Sequence, residues 1–254
     1  MFKPGLVSIT FRQLSAEKII HLAEEAGIEG IEWGGDIHVP HGDIKTAEQI
    51  GQKTRDAGLT VASYGSYYRL NHTTDFSFNS VLDTALALQT DIIRIWAGKK
   101  SSADADDAYW QSVVEEANNL ADKAAGKGVK LAFEWHGNTL TDTAEAAWKL
   151  FNLTDHDNLF TYWQPRNCTP PEQCLEDMDA ALPRLIGLHV FHWHQETKER
   201  LPLREGKDIW RRYLQKARQA SDMYGMLEFV RDNDPEQFMQ DATTLKELLT
   251  EVNQ

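Results

Sequence analysis

Residues 6–33, LVSITFRQLSAEKIIHLAEEAGIEGIEW, indicate the fold class because they hold two short apolar runs separated by one amphipathic helix pattern. The runs are LVSI (6–9) and GIEGIEW (27–33), rich in β-branched and aromatic residues. Between them Ser15 can cap a helix, and apolar residues recur at helical spacing up to Gly27, a residue suited to a helix end. A strand, a helix and a second strand in this order predict a parallel βαβ unit.

The same unit repeats along the chain, since short apolar runs alternate with longer helical patterns. The predicted strands are 6–9, 27–33, 59–64, 91–98, 129–136, 159–164, 185–193 and 225–230. The delimited helix patterns are 15–27, 46–58, 104–125, 143–152, 208–225 and 235–254. Eight such units predict an α/β protein with one domain, a single (β/α)₈ barrel over residues 1–254. A doubly wound open sheet is the alternative, but SITFRQLS (8–15) carries no Gly-rich phosphate loop.

The composition suits a globular protein and argues against several kinds of partner. In 254 residues the chain has 26 Lys and Arg against 39 Asp and Glu, a formal net charge of −13. This acidic balance, without any basic stripe, argues against nucleic acid. No apolar run is long enough for a membrane span, and the first residues lack a signal-peptide pattern. Only Cys168 and Cys174 are present, so we expect a cytoplasmic protein without a disulfide framework. A homodimer is a further expectation, since many barrels of this size pair.

Polar side chains concentrate at the carboxyl ends of the predicted strands, where barrel enzymes carry their active sites. Glu134 and Glu228 each follow an apolar run, and His189 lies on a strand between theirs. A carboxylate in such a place is costly to bury unless it is paired or bound to a cation. Metal binding with acid–base chemistry is one interpretation. A salt bridge to Arg94 or Arg231 inside the barrel mouth is the other.

Tryptophans gather at the same strand ends. Five of the eight follow strands, namely Trp33, Trp96, Trp135, Trp163 and Trp193. An indole face beside carboxylates and amides suits a sugar, which has apolar C–H faces and hydrogen-bonding edges. The alternative is that these tryptophans pack helices against the barrel.

Nearly the whole chain resembles the xylose isomerase-like TIM barrels, the sugar phosphate isomerase/epimerase superfamily. The segments that carry the resemblance are GLVSITFRQLSAEKIIHLAEEAGIEGIEWGGDIHV (5–39), IIRIWAG (92–98), LAFEWHGNTLTDT (131–143), LHVFHW (188–193), PLREGKDIWRRYL (202–214) and MLEF (226–229). The resemblance implies a TIM barrel and an isomerase or epimerase that acts on a sugar or sugar phosphate.

The resemblance also implies a divalent ion, Mn²⁺, Mg²⁺, Co²⁺ or Zn²⁺, whose ligands would be Glu134, Gln164, His189 and Glu228. Gln164 stands where the family has Asp, and because an amide oxygen carries no charge, the ion is expected to bind more weakly or not at all. Asn167 stands where many members have a substrate-facing His. His189 and His192 differ in parity on their strand, so only one can point inward. The similarity of HVFH to the family's His-x-x-Asp favours His189.

The expected reaction passes through an ene-diolate stabilised by the metal. Glu134 and Glu228 would be the acid–base pair, one removing the proton beside the carbonyl and the other returning it. The side chains expected to contact the substrate are Trp33, Tyr64, Arg94, Trp96, His136, Asn138, Trp163, Asn167, His192 and Arg231.

Other interpretations stay open. With Gln164, the barrel could bind a sugar without turnover or without metal. Since an ene-diolate can also eliminate, a lyase or dehydratase acting on a polyol or keto-sugar is a further alternative. An apurinic endonuclease is disfavoured by the net charge. The loop GGDIHVPHGD (34–43), with two histidines and two aspartates, is either a second metal site or a loop that closes over the pocket.

Overall fold

Eight parallel strands close into a barrel in the computed structural model, which describes residues 1–254. They are β1 (Phe2–Val7), β2 (Gly30–Gly34), β3 (Thr60–Arg69), β4 (Ile92–Trp96), β5 (Lys130–Glu134), β6 (Leu159–Trp163), β7 (Leu185–Val190) and β8 (Met223–Leu227). Each strand pairs with the next along the chain, and β8 pairs with β1, so the barrel has no free edge. The prediction of a single (β/α)₈ barrel is confirmed.

An α-helix follows each strand. The helices are α1 (Ala16–Glu25), α2 (Ile44–Asp56), α3 (Phe78–Leu88), α4 (Asp107–Ala125), α5 (Ala144–Thr154), α6 (Pro171–Ala181), α7 (Lys207–Ala217) and α8 (Pro235–Asn253). Six of them begin at a residue whose side chain accepts a hydrogen bond from a backbone N–H of the first turn, and Ser15, the predicted cap of α1, is one of these. The sequence patterns gave no predicted range for α3 or α6.

The first strand lies earlier than predicted. β1 ends at Val7, and Ser8–Phe11 form a 3₁₀ turn where the strand 6–9 was expected. The hydroxyl of Ser8 accepts a hydrogen bond from the Gly34 N–H at 2.9 Å, which ties this turn to the end of β2. The turn therefore belongs to the carboxyl end of the barrel.

The predicted strand 185–193 is interrupted. β7 ends at Val190, and His192–Trp193 pair instead with Arg200–Leu201 as a short antiparallel ladder. We call residues 192–201 the ribbon. Because it follows the carboxyl end of β7, it brings its side chains beside the barrel mouth.

Apolar side chains fill both sides of the barrel wall. A continuous core joins the strands to the helices, and a smaller cluster that includes Val7, Ala62, Ala132 and Met226 packs separately from it. A barrel interior filled in this way is a core, not a pore, and leaves the carboxyl ends of the strands for chemistry. No helix is both long and apolar enough to span a membrane.

Candidate metal centre and active site

Three buried side chains converge at the carboxyl end of the barrel. Glu134 ends β5, His189 lies near the end of β7, and Glu228 directly follows β8. One potential ligand atom from each lies within 4.8 Å of the other two. The Nδ1 atom of His189 is 3.5 Å from Glu228 Oε2 and 3.7 Å from Glu134 Oε1. Three strands thus present two carboxylates and an imidazole to one point.

Gln164 completes this group from the end of β6. Its Oε1 atom lies 3.3 Å from His189 Nδ1. Its Nε2 atom donates to the carbonyl of Trp135 at 2.7 Å and to Glu134 Oε1 at 3.3 Å. The two bonds to Nε2 turn the amide oxygen toward His189, at the place where the resemblance expects a fourth ligand.

The donor set fits a divalent cation. Glu228 is only 5% exposed, and its one close charged partner is His189. A buried carboxylate with so few partners is stabilised by a cation, and carboxylate, amide and imidazole donors suit Mn²⁺, Mg²⁺, Co²⁺ or Zn²⁺. The residues present therefore fit the metal that the resemblance implies, with a neutral ligand at Gln164.

Arg94 lies behind the centre and pairs with two carboxylates. Its guanidinium donates to Glu32 Oε1 at 2.7 Å and to Glu134, while the indole N–H of Trp96 also donates to Glu134. Burial opposes the charge on Glu134, but Arg94 outweighs it and holds the pKa of Glu134 far below its usual range. The salt bridge considered as the alternative for Glu134 is thus present, within a group that also has metal-binding geometry.

Glu32 is a member of this network that the sequence patterns did not single out. Its carboxylate is fully buried and accepts hydrogen bonds from Ser63 Oγ at 2.7 Å and from Arg94. Burial raises its pKa, but Arg94, His189 and Ser63 lower it more, to about 2. The sequence did contain a signal that could have identified Glu32, because Glu32 precedes a Trp at the end of a predicted strand, as Glu134 does.

Three carboxylates surround the imidazole of His189. Burial by itself lowers the pKa of this imidazole, but the carboxylates of Glu228, Glu134 and Glu32 raise it well above its usual range. In the absence of a metal ion, the three carboxylates therefore favour the protonated form of His189. A metal that binds to the imidazole must displace that proton.

A cavity of about 390 Å³ opens onto the centre. Glu134, Gln164 and Glu228 line its inner part, and Phe191, Trp193 and Phe229 supply an aromatic wall. Three of the side chains expected to contact substrate also line it, namely His136, Asn138 and Asn167. Trp96 lies next to them, with its ring stacked on His136 at a centroid distance of 4.7 Å.

Three aromatic residues expected to contact substrate lie outside the cavity lining. Trp33 is fully buried, and its indole N–H donates to Thr54 of α2 at 3.2 Å. Trp163 packs on Tyr213 of α7. Tyr64 donates its hydroxyl proton to the carbonyl of Val39 at 2.8 Å. These three residues therefore pack the strand ends against a helix or a loop, as the alternative for the tryptophans proposed.

Three further expected contacts also lie outside the cavity lining. Arg94 is buried by its two carboxylate partners. Arg231 donates to Gln237 at 2.9 Å. His192 sits in the ribbon against Gly206, while His189 takes the inward position that parity allowed to only one of the two. None of the three is placed to orient a substrate hydroxyl in this cavity.

The loop 34–43 uses its histidines for hydrogen bonds. His38 Nδ1 lies 3.0 Å from the Ser8 hydroxyl, and His41 Nδ1 lies 2.7 Å from the hydroxyl of Tyr64. The one cluster of three His, Cys, Asp or Glu ligands in the chain is Glu134, His189 and Glu228. The alternative of a second metal site in this loop therefore has no geometric support.

Comparison with known proteins agrees with the barrel fold. Residues 20–248 match the family described as xylose isomerase-like TIM barrel, and the chain belongs to that family. A 3-dehydroshikimate dehydratase of Bacillus anthracis is 30% identical in an alignment of 166 residues that covers 62% of this chain and 59% of that relative. The matched part thus spans less than two thirds of the relative's length.

Two solved structures show the same architecture. The probable 3-DHS dehydratase AsbF of Bacillus anthracis has a TM-score of 0.81 at 23% identity, covering 96% of this chain and 99% of that one. A xylose isomerase-like TIM barrel protein of Mycobacterium smegmatis, in complex with magnesium, has a TM-score of 0.73 at 16% identity, covering 99% and 98%. At these identities the likeness is one of fold.

Proposed function

We propose that the protein is a metal-dependent lyase that removes water from a cyclic keto-polyol carboxylate of the 3-dehydroshikimate type. The observation that carries the proposal is the unequal environment of the two carboxylates at the centre. Glu134 accepts from Arg94 and Trp96, whereas Glu228 has only His189 close by. The sequence match to a 3-dehydroshikimate dehydratase supports the same choice.

The unequal environments favour one base over two. Arg94 lowers the pKa of Glu134 against the effect of burial, and a carboxylate with so low a pKa is a poor proton acceptor. Glu228 lines the cavity and has no cationic side chain bound to it other than His189. An epimerase that uses both carboxylates needs two effective bases, whereas an elimination needs one base and a group that protonates the leaving hydroxyl.

Glu134, Gln164, His189 and Glu228 would hold the metal, which when bound polarises the substrate carbonyl and lowers the cost of removing the adjacent proton. Glu228 accepts that proton as the C–H bond breaks. The C–O bond of the hydroxyl group in the β-position then breaks, and the hydroxyl leaves as water with a proton from a cavity acid. Loss of one water from 3-dehydroshikimate leaves a ring that tautomerises to a dihydroxybenzoate.

His136 is the side chain best placed to supply the second proton. It lines the cavity, stacks on Trp96, and its Nδ1 atom lies 2.7 Å from the carbonyl of Gly137. That contact occupies one ring nitrogen and leaves Nε2 for the substrate. In its protonated form, the imidazole can bond the carbonyl and still give a proton to the leaving hydroxyl.

The test is the conversion of 3-dehydroshikimate by protein loaded with Mn²⁺, followed by ultraviolet absorbance of the aromatic product and by its mass. We expect loss of one water, and a rate at least about 10²-fold lower in Glu228→Gln, the lower end of the usual effect of an acid–base group. Glu116→Gln is the matched control, since Glu116 binds Tyr68 from α4, outside the cavity lining. No dehydration by the loaded wild type would contradict the proposal.

An isomerase or epimerase is the second candidate. The observation in its favour is that Glu134 and Glu228 lie at nearly equal distances, 3.7 Å and 3.5 Å, from the same nitrogen of His189. Turnover in D₂O separates the two candidates. An epimerase returns a ketose that carries deuterium beside the carbonyl without loss of water, whereas a lyase releases the dehydrated product.

A further inference from the structure

Glu32 lies behind His189, on the side away from the cavity. The Nδ1 atom of His189 faces Glu134, Gln164 and Glu228, whereas its Nε2 atom is buried and has no hydrogen-bond partner. The acceptor in line for that nitrogen is Glu32 Oε2, at 3.8 Å. Glu32 itself does not line the cavity.

We propose that Glu32 is a positioning residue for the metal centre: its carboxylate accepts a hydrogen bond from Nε2–H of His189 and so directs Nδ1 to the metal. The inference rests on the metal centre of the proposed function. An imidazole that binds a metal through one nitrogen carries its proton on the other, and a carboxylate that accepts a hydrogen bond from this N–H fixes both the tautomer and the plane of the ring.

The charges of the buried groups support the same role. Glu32, Glu134 and Glu228 are three carboxylates, and Arg94 is the one guanidinium among them, which leaves two negative charges in excess. A divalent ion neutralises this excess with a neutral His189 and a neutral Gln164. The neutral Gln164 adds no negative charge to the proposed ligands. Glu32, which lies behind them, adds one instead.

Glu32 is also held firmly enough to position a neighbour. Ser63 and Arg94 bind its two oxygens, one each, at 2.7 Å. Gly65 of β3 makes room for this arrangement. A Cβ atom at Gly65 would lie 2.7 Å from Glu32 Oε1 and 2.8 Å from Arg94 Nη2, so Gly65→Ala must displace the pair without removing either charge.

The experiment compares Glu32→Gln with Asp241→Asn, both prepared as full-length, metal-stripped protein. Asp241 is a matched control, because it is also a buried carboxylate with two hydrogen-bond donors, Leu203 N and Gln237 Nε2, and it lies outside the cavity lining. Calorimetric titration with Mn²⁺ measures affinity, and the visible absorption of the Co²⁺ form reports ligand geometry independently of activity.

We expect Glu32→Gln to bind Mn²⁺ about 10- to 100-fold more weakly than wild type, the usual loss for an outer-shell partner, and to change the Co²⁺ spectrum. Asp241→Asn should keep the Mn²⁺ affinity and the Co²⁺ spectrum of the wild type. Gly65→Ala should shift affinity and spectrum in the same direction as Glu32→Gln, and it decides the question should Glu32→Gln not fold.

Two results would overturn the inference in distinguishable ways. Wild type and Glu32→Gln that bind Mn²⁺ equally well, with the same Co²⁺ spectrum, remove the role of Glu32 and leave the metal centre intact. A wild type that binds no divalent ion removes the metal centre itself, and the role of Glu32 with it.

Discussion

Two histidine-bearing regions lie at the same end of the barrel and differ in what surrounds the imidazole. His189 is enclosed by the carboxylates of Glu32, Glu134 and Glu228, which raise its pKa well above the usual range against the effect of burial. His41, in the loop 34–43, has the neutral hydroxyl of Tyr64 as its partner, and burial lowers its pKa to about 4. The charge around the imidazole, more than the number of histidines, therefore distinguishes the candidate metal centre from the structural contact in the loop 34–43.

The two regions also differ in what they hold in place. The ring of His41 stacks on Phe76 at a centroid distance of 3.9 Å, and the hydroxyl of Tyr64 also binds the carbonyl of Val39. These contacts attach the loop to the barrel wall. At His189 the nearby groups are the proposed ligands and their partners, so the same residue type is assigned to metal binding in one region and to packing in the other.

The largest contrast is expected between His189→Gln and His41→Gln. His189→Gln removes an imidazole ligand, so Mn²⁺ affinity should fall by more than about 100-fold, beyond the range for outer-shell partners. His41→Gln should keep the affinity and lose loop stability, about 1 kcal/mol for one hydrogen bond. Calorimetric titration and thermal unfolding measure the two effects. Equal metal affinity in both variants would erase the difference between the regions.

The pH dependence of metal binding sharpens the comparison. Because the raised pKa leaves His189 protonated in the metal-free protein, each bound ion must release that proton, and affinity should fall about tenfold for each pH unit of acidification below the raised pKa. His41, with its pKa lowered to about 4, is already neutral near pH 7 and releases none. Titrations in two buffers of different ionisation enthalpy count the protons. A count near zero at pH 7 would argue that His189 is not a ligand.

A substitution at Gln164 is expected to destabilise the metal-free protein and to strengthen metal binding. Gln164→Glu replaces an amide that donates to Glu134 and Trp135 by a third carboxylate, so the metal-free form should lose about 1–3 kcal/mol of stability. The added charge should tighten metal binding. Gln237→Glu is the matched control, because Gln237 is buried and donates to Asp241 at 2.9 Å. It should lose stability without any gain in affinity, and a similar result for Gln164→Glu would place Gln164 outside the coordination sphere.

The smallest effect is expected for the buried tryptophans. Trp33→Phe removes the hydrogen bond to Thr54 and should lower the free energy of unfolding by about 1 kcal/mol while kcat/KM is unchanged. Trp163→Phe loses no hydrogen bond, because the indole N–H of Trp163 has no partner, so its loss should be smaller. Denaturant unfolding and steady-state kinetics test both. A lowered kcat/KM with unchanged stability would assign Trp33 to the substrate.

The barrel and the position of Glu134 and Glu228 at its carboxyl end followed from periodicity and strand ends, whereas Gln164 and His189 were chosen through the family resemblance. Apolar runs alternating with helix patterns predicted the closed barrel, and the ends of β5 and β8 predicted Glu134 and Glu228. Parity on strand seven allowed only one inward histidine, the similarity of HVFH to the family's His-x-x-Asp favoured His189, and the structure buries His189. The predictions of the barrel and of the position of the two glutamates share a cause, since each depends on order along one segment and on the common rule for where barrel sites lie.

The rest depended on contacts between segments that sequence spacing does not reveal. Arg94 and Glu32 pair over β3, which lies between their two strands, so neither the ion pair nor the proposed role of Glu32 could be predicted from either segment alone. The tryptophans at strand ends were ambiguous for the same reason, and Trp33 faces α2 while Trp96 faces Glu134. The turn at Ser8 is tied to β2 by the hydrogen bond from Gly34, and the ribbon pairs His192–Trp193 with Arg200–Leu201 beyond the end of β7.

The most direct test of the central claim is the metal content of purified protein, measured by elemental mass spectrometry after dialysis with and without added Mn²⁺. We predict about one divalent ion per chain in the wild type and in His41→Gln, and none in Glu134→Gln or Glu228→Gln. Wild-type protein that retains no ion under either condition, or Glu134→Gln protein that retains a full equivalent, would contradict the assignment of the centre to these residues.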